Sequence, residues 1–121
     1  MVNIQKQIQD KLTRHLLDLI VLQLLDERPM CGYEIMSTIK RMHGVALGAS
    51  TMYPTLNALE DKGMVKSEWN TQSRRPKRIY KITRDGHATM EYSVGSLNQI
   101  CKTLQIATKT NRHIEIGAIM Q

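Results

Sequence analysis

Residues 62–84 carry the whole charge excess of the chain and, with it, the strongest constraint on its shape. Eight bases (Lys62, Lys66, Arg74, Arg75, Lys77, Arg78, Lys81 and Arg84) stand there against one acid, Glu68, while the rest of the 121 residues is close to neutral, giving a net charge of +6. The block is also patterned. A glycine stop at Gly63 follows a helical segment, and Met64–Trp69 and Arg78–Ile82 read as strands on either side of a polar tip at 70–77. A basic hairpin directly after a helix can lie against duplex nucleic acid, where its cations neutralise phosphates and release counterions.

The rest of the chain supplies helices. Leu12–Leu25 is apolar around most of its circumference, so it should be buried on more than one side, with Leu16 and Ile20 available to a partner subunit. Pro29 stops it, because the residue before a proline disfavours helical dihedrals. Gly32–Met42 forms a second helix with an inner face of Ile35, Met36, Ile39 and Met42, closed by Gly44. Val45-Ala46-Leu47-Gly48 then makes a turn with one apolar anchor.

A third helix runs from about Ala49 to Lys62 and buries Met52, Leu56 and Leu59. Its start is ambiguous: from Met52, Pro54 lies harmlessly in the first turn, whereas from Ala49 it removes an internal backbone bond. A fourth helix, capped by Thr83, carries Met90, Val94, Leu97, Cys101, Leu104 and Thr108 at alternating spacings of four and three. That seam suits a dimer contact. Residues 109–121 are left as a frayed tail or a short extra helix, and residues 1–11 as a polar arm.

The expected fold class is therefore mainly α with a small β-hairpin (α+β): a winged helix-turn-helix over 12–83 plus a C-terminal dimerisation helix over 84–108. At this length one domain is expected. No apolar run approaches the ~18 residues that suggest a membrane span, the N-terminus lacks a signal-peptide layout, and Cys31 and Cys101 have no metal-ligand spacing, so a cytoplasmic location with reduced thiols is expected.

Particular segments resemble the PadR family of transcriptional regulators. They are Leu16-Leu17-Asp18-Leu19-Ile20-Val21-Leu22, Cys31-Gly32-Tyr33-Glu34-Ile35, Thr51-Met52-Tyr53-Pro54-Thr55-Leu56, Leu59-Glu60, Gly63-Met64-Val65, Arg75-Pro76-Lys77-Arg78-Ile79-Tyr80 and Ile82-Thr83-Arg84-Asp85-Gly86, within a match spanning roughly residues 12–90. The single C-terminal helix is similar to that of the family's smaller subgroup, and the resemblance implies a homodimeric, sequence-specific DNA-binding repressor. Two identical heads then imply a palindromic double-stranded DNA operator, and a small aromatic effector is a candidate partner. It also implies that the Thr51–Pro54 stretch enters the groove. The chain departs from the family's usual pattern at Ser50 and at Ser73-Arg74, where relatives carry glycine, and its fourth helix lacks the tryptophan with which some drug-sensing relatives stack flat ligands.

For DNA contact the chemistry favours Ser50, Thr51, Tyr53, Thr55 and Asn57 on the third helix and Arg74, Arg75, Lys77 and Arg78 on the wing. Asn57 suits bidentate bonding to adenine, while hydroxyls reach bases or phosphates. Tyr53 has two uses, a phosphate contact or packing against the second helix, and the sequence does not choose. Arg78 and Lys81 lie on the strand and flank the contact. Tyr80 and Ile82 alternate toward the core, with Trp69 covering it from the paired strand. Glu60-Asp61 reads as a solvated helix end, because adjacent helix residues diverge too far for acid–base partnership. His15, His43, His87 and His113 show no ligand spacing, and no nucleophile motif or phosphate-cradling loop occurs, so no catalytic residue, cofactor or metal is expected. Two alternatives stay open: a small-molecule-sensing dimer, and a winged-helix adaptor for RNA or a protein partner. Uncharged polar side chains on the third helix favour duplex DNA, since A-form RNA hides its major groove.

Overall fold

The computed structural model describes residues 3–115, with side chains through residue 105. The N-terminal residues 4–11, expected as an arm, are helical. α1 spans Ile4–His15 and is capped by Asn3, whose side-chain oxygen accepts from the Lys6 amide at 3.1 Å. α2 spans Leu17–Glu27. The single helix expected over 12–25 is thus divided at Leu16, whose dihedrals (φ −99°, ψ 15°) leave the helical region. Burial changes at the same residue. α1 buries only Thr13, whereas α2 buries Leu17, Val21, Leu22, Leu24 and Leu25. α2 ends where Pro29 dictates: Arg28 is fully extended at φ −168°, ψ 158°.

A two-residue strand that the sequence pattern did not reveal follows, β1 at Met30–Cys31. It leads into α3 (Gly32–His43), which closes on a left-handed Gly44. The loop to the next helix buries two anchors rather than one, Val45 and Leu47. α4 spans Ala49–Asp61, so Pro54 is internal and the Ser50 carbonyl has no amide four residues on to accept from. α4 stops in a Schellman arrangement. Gly63, at φ +75°, donates to the Glu60 carbonyl at 2.9 Å, and Met64 donates to the Leu59 carbonyl at 2.9 Å.

β2 (Val65–Asn70) and β3 (Lys77–Ile82) form the antiparallel hairpin, with Val65 opposite Ile82 and Asn70 opposite Lys77. β1 pairs with the other edge of β3, giving the order β1-β3-β2 and register Met30–Tyr80. Thr83 then caps α5 (Arg84–Glu115): its hydroxyl accepts from the Gly86 amide at 3.0 Å and donates to the Gly63 carbonyl at 2.6 Å. The expected helix end at 108 is therefore passed, residues 109–115 continue α5, and 116–121 lie outside the described residues.

The chain divides after Met90 into two compact units. The core of the first is built from Val21, Ile35, Ile39, Met52, Leu56, Leu59, Val65 and Tyr80, all almost fully buried. It joins α2, α3, α4 and the hairpin, and so fixes α4 and the wing on one scaffold. The second unit is the continuation of α5. On that helix Met90 is buried, Val94 and Leu97 are half-buried, and Cys101 and Leu104 are exposed. Leu16 and Ile20 are half-buried as well. Thr108 and His113 lie beyond the described side chains. No helix among the described residues is long and apolar enough to cross a membrane.

Candidate nucleic-acid interface

α4 turns Met52, Leu56 and Leu59 inward, which leaves Ser50, Tyr53, Pro54 and Asn57 exposed and Thr51 and Thr55 half-buried. No charged residue precedes Glu60 on this helix, so up to that point the polar groups of its outer face are uncharged hydroxyls and an amide, beside the apolar Pro54 and Ala58. Thr55 has already committed its proton: the hydroxyl donates to the Thr51 carbonyl at 2.9 Å. It keeps acceptor capacity only toward a ligand.

The wing tip is exposed from Thr71 through Lys77. Asn70 organises its start, accepting from the Gln72 amide at 3.0 Å, and the Ser73 hydroxyl donates to the Arg75 carbonyl at 2.7 Å. Among the described residues, the side chains of Arg74, Arg75 and Lys77 have no ion-pair partner. They are cations held at the end of a hairpin with no acidic partner among the described residues. Lys81, by contrast, pairs with Glu68 at 3.1 Å.

Arg78 is half-buried and already has partners within the fold. Its Nη2 donates to Glu60 Oε1 at 3.1 Å and its Nε to the Ser67 hydroxyl at 2.8 Å, while that hydroxyl donates to Glu60 Oε2 at 2.7 Å. The guanidinium carbon also lies 5.7 Å from the centre of the Tyr80 ring. Glu60, expected as part of a solvated helix end, is thus the hub of a hydrogen-bonded ring. Burial pushes the Tyr80 hydroxyl above its ordinary pKa, with Arg78 pulling the other way.

Tyr53 packs as one of its two expected uses required. Its ring covers Gly32 so closely that a Cβ there would lie 2.8 Å from the Tyr53 hydroxyl, a separation that forces something to move. The glycine at the start of α3 is therefore explained by the tyrosine of α4. Tyr53 keeps 39% of its surface exposed, so packing leaves its outer edge available.

Trp69 does not cover the core as expected. It is 62% exposed, because the core along that face of the hairpin ends at Tyr80, one register step earlier. Trp69, Tyr33 and Tyr53 instead line a groove of about 450 Å³ between the start of α3, α4 and the wing, together with Pro76, Lys77 and Arg78. Sequence reasoning assigned no site role to Tyr33 or Trp69. The signal that could have grouped them is the scarcity of aromatics, one Trp, four Tyr and no Phe, combined with the alternation that puts Trp69 on the Tyr80 face.

At the same end of α3, Glu34 accepts from the Cys31 amide at 3.2 Å and from Arg28 Nη1 at 2.9 Å. Arg28 and the Cys31 amide hold the Glu34 carboxyl below the usual carboxylate range. His87 and Asp26, 61 residues apart, meet at 2.8 Å. No group of three His, Cys, Asp or Glu side chains suited to a metal ion occurs among the described residues.

A helical pair followed by a β-hairpin, with its second helix exposing a polar face, defines a winged helix-turn-helix protein. Residues 21–92 match the Transcriptional regulator PadR-like family, and the chain belongs to that family, whose members are regulators rather than enzymes. A PadR family transcriptional regulator from Eggerthella lenta has a similar structure, with a TM-score of 0.77 at 27% identity over 88% of this chain and 94% of that one. The Bacillus subtilis PadR structure in complex with operator DNA gives a TM-score of 0.60 at 27% identity, covering 65% of this chain and 45% of that one. The transcriptional activator GvpE of Haloferax mediterranei is 33% identical over 94 residues, 77% of this chain and 46% of GvpE. The transcriptional regulator Rv3488 of Mycobacterium tuberculosis is 32% identical over 60 residues, half of this chain and 56% of that protein. The chain spans about half the length of these curated relatives.

Proposed function

We propose that the protein is a cytoplasmic, homodimeric regulator that binds a palindromic site in duplex DNA. In this reading residues 12–83 bind DNA and 84–108 join the subunits. α4 enters the major groove, where Ser50, Thr51, Tyr53, Thr55 and Asn57 contact bases and phosphates, and the wing follows the backbone or minor groove through Arg74, Arg75 and Lys77. The observation that carries the reading is the pairing of two surfaces on one scaffold: an uncharged polar helix face and a cationic tip that has no ion-pair partner among the described residues. The operator complex of the Bacillus subtilis relative supports it.

Hydroxyl and amide groups suit base edges, which demand directed hydrogen bonds, while arginines suit phosphates, which demand charge. A duplex-DNA against duplex-RNA competition tests the class of partner: DNA should win, and equal competition would favour an RNA adaptor. Repression by occupying a promoter is the proposed outcome. The similarity to a protein named as an activator makes the opposite sign a specific second reading. Genomic fragments selected by the protein, placed upstream of a reporter with and without it, separate the two. Adding small aromatic compounds to the binding assay tests for an effector.

A further inference from the structure

We propose that Glu60 and Arg78 are positioning residues that lock the wing to the recognition helix, and that Arg78 acts through this lock rather than as a phosphate contact. The inference rests on the DNA-binding reading above. Its basis is the closed ring in which Glu60 of α4, Ser67 of β2 and Arg78 of β3 satisfy one another at 2.7, 2.8 and 3.1 Å. One carboxylate therefore ties the end of α4 to both strands of the wing.

Glu60 is placed where simple electrostatics would not put it. It lies in the last turn of α4, beside Asp61 and with no basic residue in that turn, so its charge opposes the negative end of the helix dipole. It also lies on a chain whose proposed ligand is a polyanion. The ring gives it a reason to be there. A wing and a recognition helix that move independently would each lose orientational freedom on binding, whereas a pre-set angle lets both engage at once. Arg78, being already paired, adds little to the neutralisation of DNA.

The test uses the full chain and a palindromic duplex of about 30 base pairs, selected from a random pool by the wild-type protein, with a scrambled duplex as control. Failure of the wild type to bind any duplex would sink the DNA-binding reading itself; the lock is judged only on the variants. Glu60→Gln removes a negative charge near the DNA. If charge alone mattered, binding would tighten; the lock predicts selected-site affinity about tenfold weaker, with scrambled-site affinity and salt slope unchanged. Arg78→Lys keeps the charge but loses the fork that reaches two partners. It should weaken selected-site binding as Arg78→Gln does, and neither should alter the salt slope. The reversed pair Glu60→Arg with Arg78→Glu should regain part of the loss. Tighter or equal binding by Glu60→Gln overturns the proposal. So does a salt slope reduced by about two per dimer in Arg78→Gln. If Glu60→Gln does not fold, as judged by its circular dichroism melt, Arg78→Lys decides: near-wild-type affinity overturns the lock.

Discussion

Arg75 and Asn57 occupy two ends of the proposed DNA interface and should fail in different ways. Arg75 is exposed at the wing tip without an ion-pair partner among the described residues. If Arg74, Arg75 and Lys77 of two wings each meet a phosphate, log affinity against log salt should slope by roughly −5 from the wings alone. Arg75→Ala should then weaken every sequence alike and flatten the slope by about two units per dimer. Asn57→Ala should instead cost about 1–3 kcal/mol per half-site on the selected sequence and leave the slope in place. Titrations at several salt concentrations read both. Glu34 gives a prediction about stability. Its pKa is depressed by Arg28 and by the Cys31 amide, so its contribution is present at neutral pH and is lost as pH falls through the depressed value. Glu34→Gln should lower stability at pH 7 by about 0.5–2 kcal/mol, as loss of a helix cap does, and should reduce the loss on acidification. Denaturant melts from pH 7 to 3 check the sign; an unchanged acid dependence would show that Glu34 does not carry it.

At the scale of elements, the third helix poses the clearest question, because Pro54 is inside it. The ring removes one backbone bond to the Ser50 carbonyl on an exposed helix face. Pro54→Ala should restore that bond and raise stability by about 1–3 kcal/mol, read as an increase in melting temperature. If stability falls, the proline is packing rather than interrupting. This element also shows where sequence reasoning stopped. Periodicity identified its buried stripe of Met52, Leu56 and Leu59 and the glycine stop at Gly63, because both are local signals. It could not choose between starts at Ala49 and Met52, since a proline is compatible with either once tertiary contacts hold the helix. The wing strands were legible for the same local reasons, whereas β1 was not: two residues carry no alternation, and Met30–Cys31 become a strand only because β3 is beside them. Trp69 failed for a related reason, as alternation gives the face of a residue but not where the core on that face ends. Glu60 and Arg78, 18 residues apart, could not be paired from spacing alone.

At the scale of the molecule, exposed apolar surface on α1 and α5 bears on assembly. α1 leaves Ile4, Ile8 and Leu12 exposed at intervals of four, a continuous stripe on one helix face that no residue of the described chain covers well. α5 leaves Ile100 and Leu104 more than half exposed and continues the seam from Met90. The sequence had already drawn attention to the α5 seam, but not to the α1 stripe, since residues 1–11 read as polar until their helical placement aligned the three apolar side chains. Both faces are proposed to be covered by a second copy of the chain. Ile8→Glu separates that proposal from ordinary destabilisation. Ile8 is 53% exposed in one subunit, so a charge there costs the isolated fold little, whereas in a closed interface it would cost several kcal/mol. Leu97→Glu, at a half-buried position, is the matching change on α5. Sedimentation of Ile8→Glu should give folded monomers with a near-normal melt. Two heads joined by the dimer imply half-sites about 10 base pairs apart, or a multiple of that. The monomer should therefore lose its preference for the palindrome over a single half-site, and its wing contribution to the salt slope should fall from roughly −5 to roughly −3. A stable Ile8→Glu dimer with an unchanged slope would remove α1 from the interface and leave the α5 seam to account for assembly alone.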